Sequence, residues 1–519
     1  MKKLLCLLLA LLLGAGVFSG CSSDSEPYVP TGNALVYEGQ EVLPTQPTEA
    51  ENQDLVLAYY PDRPLNPYKT ADFTNRTLFS LIYQGLFTTD SNYNTEPVLV
   101  RSYTMSEDMR TYTFYIDNAT FSDGTRLTVQ DVLASLQAAM ESNVYNGRFS
   151  HVVEMELSSD GGIVFRLDAS MENLPILLDI PILKASEVDA ERPLGTGPYY
   201  LQESASGLRL CRRSNWWCKS NLVVTTDAIP LVQVQSVTEI RDEFEFADVG
   251  LVCADPCSDA YADYRCDYEL WDCENGTFLY LACNMQSEIF ENQEMRKALT
   301  FAIDRAALVD RYYRGYARAA TLPASPNSPY YNNRLAAKYS YDMDKFVKAV
   351  TDTGNLGKEL VLLVNKDDTL RLRVARTIGE ALRSAGFNVV MSELSSSKFQ
   401  TALRYRQFDL YLGLTRLTPN MDLSSFFRTG GSLRYGLLTD PAIYSMCLQA
   451  LANRGNYYNL HQAVMEDGRV CPILFHSYGI HATRGLLTGL TPSRDAVFYY
   501  SIGKTLEDAM TVAEEPKQE

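Results

Sequence analysis

The stretch from Gly276 to Val309 limits the possible folds more than any other part of the chain. Phe278 to Cys283 is a short apolar run that suits a buried strand. Asn284 to Phe290 is a polar crossing. From Glu291, Met295, Leu299, Ala302, Ile303 and Ala306 recur at three- and four-residue spacing, which predicts a helix. Asp304 precedes Arg305, Ala306 and Leu308, where its carboxylate can cap a second helix. A buried strand that runs through a polar crossing into helices reads as a chain leaving one lobe and entering another.

Beyond Val309 the chain alternates between strand and helix patterns. Leu360 to Val364 reads as a strand, and Leu370, Val374, Ile378 and Leu382 as one face of a helix stopping at Gly386. Phe387 to Met391 and Phe408 to Leu414 are further strands, and Cys471 to Tyr478 another. Such alternation predicts a parallel or mixed sheet covered by helices. Nearer the start, Leu55 to Tyr60 is an apolar strand. Leu78, Phe79, Ile82 and Tyr83 line a helix ending at Gly85. Tyr112, Phe114 and Ile116 alternate as in a half-buried strand, Asp123-Gly124 is a turn pair, and Thr128 with Asp131 is a capping box.

At 519 residues the chain is long enough for about three domains. Its net charge of −18 argues against a nucleic-acid partner, which needs a basic face. Met1-Lys2-Lys3 followed by apolar Leu4 to Phe18 reads as a signal peptide over 1–20, too short to span a bilayer. Phe18-Ser19-Gly20-Cys21 resembles a lipobox, so Cys21 is expected to carry lipid. Residues 21–54, rich in Ser, Pro, Thr, Glu and Gln, read as a disordered tether. Nine further cysteines lie at 211, 218, 253, 257, 266, 273, 283, 447 and 471. Their spacings are not the short pairs of a zinc ribbon, which leaves one or two disulfides or free thiols.

Several separated motifs carry a family resemblance. Met295-Arg296-Lys297-Ala298-Leu299 and Ala302-Ile303-Asp304-Arg305 resemble the helix of the family 5 extracellular solute-binding proteins, the oligopeptide and dipeptide binders of ABC importers. Glu96 to Gln137, with Phe121-Ser122-Asp123-Gly124 and Asp131-Val132, resembles that family's signature almost along its length. Leu65-Asn66-Pro67, Ile82 to Asp90, Leu194 to Glu203, Asn215-Trp216-Trp217 and Cys471 to Tyr478 resemble further family segments. The likeness covers about 55–504.

That resemblance implies an α/β, bilobed periplasmic-binding-protein-like fold of type II, in three parts. A discontinuous first lobe would hold 55–87, 193–283 and 476–510. A small insertion lobe would span 88–192, and a C-terminal lobe 284–475. Hinges are expected at Gly195, Gly197, Asn284 and Phe475. The implied work is capture of a small solute, most readily a peptide, for importer permease subunits. It would be done by a lipid-anchored monomer on the outer face of the bacterial cytoplasmic membrane. A surface interaction or signalling protein that kept the fold is the alternative.

No catalytic motif accompanies the resemblance. The four histidines lack metalloprotease spacing, and Ser395-Ser396-Ser397-Lys398 has none of the companions of a penicillin-binding serine site. The Ser395 run reads instead as a loop before a helix. The chain is therefore read as a binder without enzyme activity, cofactor or metal. In the peptide-binding members an Asp following the strand equivalent to Phe408–Leu412 pairs with the peptide's amino group. Here Arg416-Leu417 stands in that place. Either Asp422 takes the role, or Arg416 grips an anionic or blocked group. Tyr59, Tyr60, Tyr280, Asn284 and Tyr478 complete the expected ligand-binding set.

Overall fold

Two long antiparallel strands hold the molecule together. The computed structural model describes residues 55–217, 224–254, 264–487, 490–500 and 509–510. The expected signal peptide, Cys21 and the tether lie outside the described residues, as do Cys218 and Cys257. In chain order the strands are β1 (Leu57–Tyr59), β2 (Phe87–Thr89), β3 (Thr95–Pro97), β4 (Val100–Met105), β5 (Thr111–Ile116), β6 (Val152–Leu157) and β7 (Ile163–Leu167). Next come β8 (Tyr199–Ser204), β9 (Gly207–Arg212), β10 (Ala228–Gln233), β11 (Leu251–Ala254), β12 (Tyr268–Cys283) and β13 (Ala317–Ala319). The last group is β14 (Glu359–Asn365), β15 (Asn388–Leu394), β16 (Leu410–Arg416) and β17 (Val470–Thr483), followed by the short pair β18 (Thr491–Pro492) and β19 (Val497–Phe498).

An eleven-stranded mixed sheet runs β15-β14-β16-β12-β17-β11-β1-β10-β9-β8, with β13 on β17. The apolar run 278–283 predicts only the end of β12, which starts ten residues earlier. Its first half pairs with β17 beside β11, and its second half lies between β17 and β16. So β12 and β17 belong to two half-sheets at once. The register breaks between Glu274 and Phe278, where Gly276 takes φ +77°, a backbone angle that favours glycine. One apolar cluster, from Leu279 to Leu474, fills the β14–β16 side. A larger one fills the other side and the insertion.

The insertion carries a separate antiparallel sheet, β4-β5-β7-β6. Against it packs the helix Val129–Glu141, whose start is fixed by the reciprocal Thr128–Asp131 capping bonds. The hairpin β2–β3 projects from the same region. The helices of the β14–β16 side form much as their periodicity requires. Thr369–Ser384 buries Val374, Ile378 and Leu382 and stops before Gly386, at φ +104°.

Three local expectations need correction. The helix from Glu291 is broken: Gln293–Ala298 is α, Leu299–Ala302 is 3₁₀, and Ile303 turns extended. That turn frees Asp304 to accept from the Ala307 amide at 3.0 Å and begin Arg305–Tyr313. The helix expected to end at Gly85 is two single turns, Phe73–Arg76 and Phe79–Ile82, because Tyr83 is already extended. Ser396 to Lys398 forms the first turn of the helix Ser396–Tyr405 and is no loop.

Gly197 shows how tightly the first part is joined. Its amide donates to Ile82 O at 2.8 Å, and an added Cβ would stand 2.5 Å from Leu81 O. Gly197→Ala is expected to destabilise the protein by about 1–3 kcal/mol, because backbone and not a flexible side chain must move. Gly147→Ala, with nothing within 4 Å of its Cβ, is the neutral control. Thermal melts of the two variants should separate clearly; equal melting temperatures would refute the packing argument.

Candidate functional site: a tyrosine-lined cleft above a buried charge cluster

A cleft of about 450 Å³ opens between the insertion and the part that follows β12. Such a volume suits a small organic ligand. The insertion side contributes Tyr93, Tyr103 and Glu172; the facing side contributes Tyr330, Asn420, Arg454 and Tyr457. Tyr330 and Tyr457 pack 4.4 Å apart, and the Tyr457 hydroxyl donates to Asn420 O, which fixes that wall. The rim is tied by the Glu172 amide on Leu451 O (2.8 Å) and the Arg454 amide on Glu172 Oε2 (2.7 Å).

Tyr93 sits at the tip of the β2–β3 hairpin with φ +66°, an outlying angle for an aromatic residue. Asp90 holds it there. Its backbone carbonyl accepts from the Tyr93 amide, and its carboxylate takes the Asn92 and Asn94 amides at 2.8 Å. The Tyr93 phenol reaches Ser325, whose hydroxyl donates to Glu274 Oε2. Glu274 lies at the register break of β12, and burial, outweighing the nearby guanidiniums, pushes its carboxyl up to about 7.

Beside Glu274 lies a cluster of arginines. The Arg494 guanidinium covers Gly276: a Cβ there would be 2.4 Å from Cζ. Next to it, Asp495 accepts from Arg76 at 3.1 Å, from Arg416 at 2.5 Å and from Arg148, which also reaches Asp179. Burial opposes ionisation of Asp495, but the arginines outweigh it and hold the carboxyl far below the usual range. Arg494 shows the converse. Burial, and then the like charge of Arg416, brings it down to about 10.

The residues named from sequence fall mostly in the core. Tyr59, Tyr60, Tyr280 and Tyr478 are each buried to within a few per cent. Tyr60 lies under Arg63, Tyr280 packs on Phe426, and Tyr478 donates to Ser493 O. Asn284 closes the turn after β12, donating to Phe408 O at 2.9 Å and accepting from the Gln286 amide. Arg416 reaches Asp495 and Asn275 O; Asp422 meets His151 and the Ser424 amide. Gly195 and Gly197 pack on Ile82, and Phe475 stacks on Phe278. None of these lines the cleft. The residues that do, together with Glu274 and Arg494, escape a reading of the sequence. Gly276 just before an apolar run and the Arg494-Asp495 pair are their only sequence signals. Cys211, Cys266, Cys273, Cys283, Cys447 and Cys471 are free thiols. Among the described residues no three His, Cys, Asp or Glu side chains are placed to hold a metal ion.

Comparison with known proteins gives a consistent picture. Residues 94–433 match the profile of the bacterial extracellular solute-binding proteins, family 5. The glutathione-binding protein GsiB of Escherichia coli is 24% identical over 282 residues, 51% of this chain and 55% of GsiB. The chain thus spans about half the length of the curated relatives it matches. HbpA2 of Haemophilus parasuis superposes with a TM-score of 0.71 at 19% identity, covering 87% of this chain and all of that one. The oligopeptide-binding protein AppA of Bacillus subtilis, in complex with a nonapeptide, gives 0.58 at 18%, covering 83% and 94%.

One further ionic contact spans the cleft's two sides. His151, in the insertion, has Nδ1 2.7 Å from Asp168 and Nε2 3.2 Å from Asp422, which follows β16. Burial disfavours the imidazolium, but the two carboxylates prevail and raise its pKa. The folded value therefore exceeds the unfolded one. The contact stabilises fully below about pH 6.5 and fades as pH rises through the folded value. Asp422, held below its usual range although burial opposes it, keeps the pair ionic on the acid side until pH falls through that lowered value. His151→Gln is expected to cost about 3 kcal/mol near pH 5.5, since Asp422 is left buried and unpaired. The difference from wild type should shrink above neutrality. Melts of both proteins from pH 5 to 9 check this; a difference that grows with pH would contradict it.

Proposed function

The chain belongs to the bacterial extracellular solute-binding proteins of family 5, and from that premise we propose that it captures a small peptide or peptide-like solute for an ABC importer. The cleft carries the reading. It lies between the insertion and the part that follows β12, four tyrosines stand in its walls, and its volume suits a ligand of a few residues. GsiB is by name a glutathione binder and AppA an oligopeptide binder, which is the ligand class adopted here. The reading gives the chain no chemistry to perform: it binds and releases. Permease subunits are its partners.

The lobes are assigned as 55–87 with 193–283 and 476–510, the insertion 88–192, and 284–475. Closure would turn on β12, β17 and the connection at Gly195 and Gly197, with Asn284 and Phe475 at the ends of the crossings. The register break at Gly276 joins them as the most deformable point. If the solute is bound as proposed, protein purified from its own cells should carry it into native mass spectrometry. Returning that solute to stripped protein at about 100 times its Kd should add about 2.7 kcal/mol, read as a raised melting temperature. If nothing co-purifies and no solute in a broad panel raises the melting temperature, the reading fails.

The anchor is assigned to Cys21 on the lipobox-like Phe18-Ser19-Gly20-Cys21. Among the described residues no helix is long and apolar enough to cross a membrane. Attachment at the outer face of the cytoplasmic membrane would then depend on acyl chains, at about 0.8 kcal/mol per buried CH₂. Cys21→Ser should move the protein from the membrane pellet to the soluble fraction. Unchanged pelleting would remove the lipid from the account.

A further inference from the structure

The charge cluster beneath Tyr93 is incompletely paired. Arg494 is 7% exposed; its Nη2 donates to Leu417 O, while Nε and Nη1 have no hydrogen-bond partner among the described residues. Asp495 Oδ2 stands 3.6 Å from Nε, an ionic contact outside hydrogen-bond range. Glu274 is also 7% exposed. Its Oε2 is held by Ser325, and Oε1 has no partner among the described residues. A buried polar group without a partner costs about 1–3 kcal/mol. Yet Arg494 and Glu274 form no ion pair. Leu417 O draws one away and Ser325 draws the other. Two complementary groups are thus kept apart, each with unused hydrogen-bonding capacity turned away from the partners it has.

The surroundings have the same polarity. On the Arg494 side, four buried or half-buried arginines (76, 148, 416 and 494) pair, among the described residues, with two carboxylates, Asp495 and Asp179, an excess of positive charge. On the Glu274 side, Glu274 and Asp272 share Arg318, an excess of negative charge. A simple anion would satisfy the first side and be opposed by the second; a simple cation would meet the reverse. Tyr93 reaches Ser325 on the Glu274 side and also lines the cleft, and its own backbone is held at φ +66°.

We propose that Arg494 and Glu274 form the anchor for a zwitterionic head group of the captured solute, an acid accepting from Arg494 beside an ammonium donating to Glu274, with Tyr93 as the wall between anchor and cleft. This rests on the solute-capture reading and adds the chemistry of the ligand's head: amine and carboxylate on one carbon, as in a free amino acid or a γ-glutamyl group. An ordinary peptide carries its free amine and its free carboxylate at opposite ends and so lacks this head group.

The probes are γ-glutamylalanine, its N-acetyl form, its α-amide and trialanine, titrated calorimetrically into full-length protein. γ-Glutamylalanine should bind, and trialanine at least about 30-fold more weakly. Blocking the amine or the α-carboxylate should cost at least about 30-fold, as should Glu274→Gln or Arg494→Met. The losses should also pair. Glu274→Gln should no longer distinguish the N-acetyl form from the free amine, and Arg494→Met should no longer distinguish the α-amide from the acid. Glu274→Gln is nearly isosteric and keeps the test available if Arg494→Met does not fold. Three results overturn the anchor. One is binding of γ-glutamylalanine by the variants as by wild type, which leaves the free atoms to water. Another is undiminished binding of one blocked form, which marks a simple anion or cation site. The third is stabilisation by other solutes but not by γ-glutamylalanine, in which case solute capture stands without this anchor. If no solute of any class binds, the capture reading itself falls, and the anchor with it.

Discussion

Asp495 holds together parts of the chain that are far apart in sequence. Arg76 comes from the turn after β1, Arg148 from the insertion, and Arg416 from the end of β16; Arg494 is its neighbour. All are buried except Arg416, which is partly exposed. Removing such charges from water costs several kcal/mol per ion, and attraction offsets this only where the geometry is good. Here one carboxylate cannot serve four guanidiniums equally. Asp179 takes part of Arg148 and is itself pushed up to about 6 by burial, despite that partner. Arg494 is the one left over. Its unused donors follow from the number of charges brought together, and the position of Gly276 beneath it fixes which way they face.

The sheet explains why this cluster lies where it does. The strands β12 and β17 are continuous through both half-sheets, so the backbone of this pair departs from regular pairing only at its breaks. The break at 274–278 puts a glycine with positive φ under Arg494 and turns Glu274 toward Ser325 and Tyr93. A regular ladder would have placed a side chain at 276 and excluded the guanidinium. The insertion contributes Tyr93 and His151 from opposite ends of its own fold. His151 bonded to Asp422 then fixes how that insertion meets the segment after β16.

Much of the fold is legible in the sequence because it depends on local periodicity. The alternation from Leu360 to Leu414 gives β14, the helix Thr369–Ser384, β15 and β16 to within a few residues. Thr128 with Asp131 and Asp304 cap the helices they precede. The family is legible from motifs, most of which are structural. The site is not. Tyr59, Tyr60, Tyr280 and Tyr478 attract notice because they are aromatic and stand beside crossings, but residues beside a crossing in a two-sided sheet are covered on both faces. Tyr93 is far from any crossing in sequence. Nothing local distinguishes it; its role depends on a hairpin whose approach to Ser325 is a tertiary contact. Arg416 stands out in sequence as a misplaced charge, but its partner is Asp495, 79 residues away.

The chain's overall charge bears on what such a site can admit. A protein with a formal net charge of −18 repels acids at long range, although salt confines that effect to about 10 Å. The positive excess around Arg494 is buried and cannot draw an anion from solution against that field. A zwitterionic head lessens the conflict: its own two charges cancel at long range, and each is met by a separate partner only beside Arg494 and Glu274. Desolvating two opposite charges on one carbon also costs less than desolvating either alone, because each partly screens the other. The −18 exterior and the two-sided interior are then compatible with one ligand class.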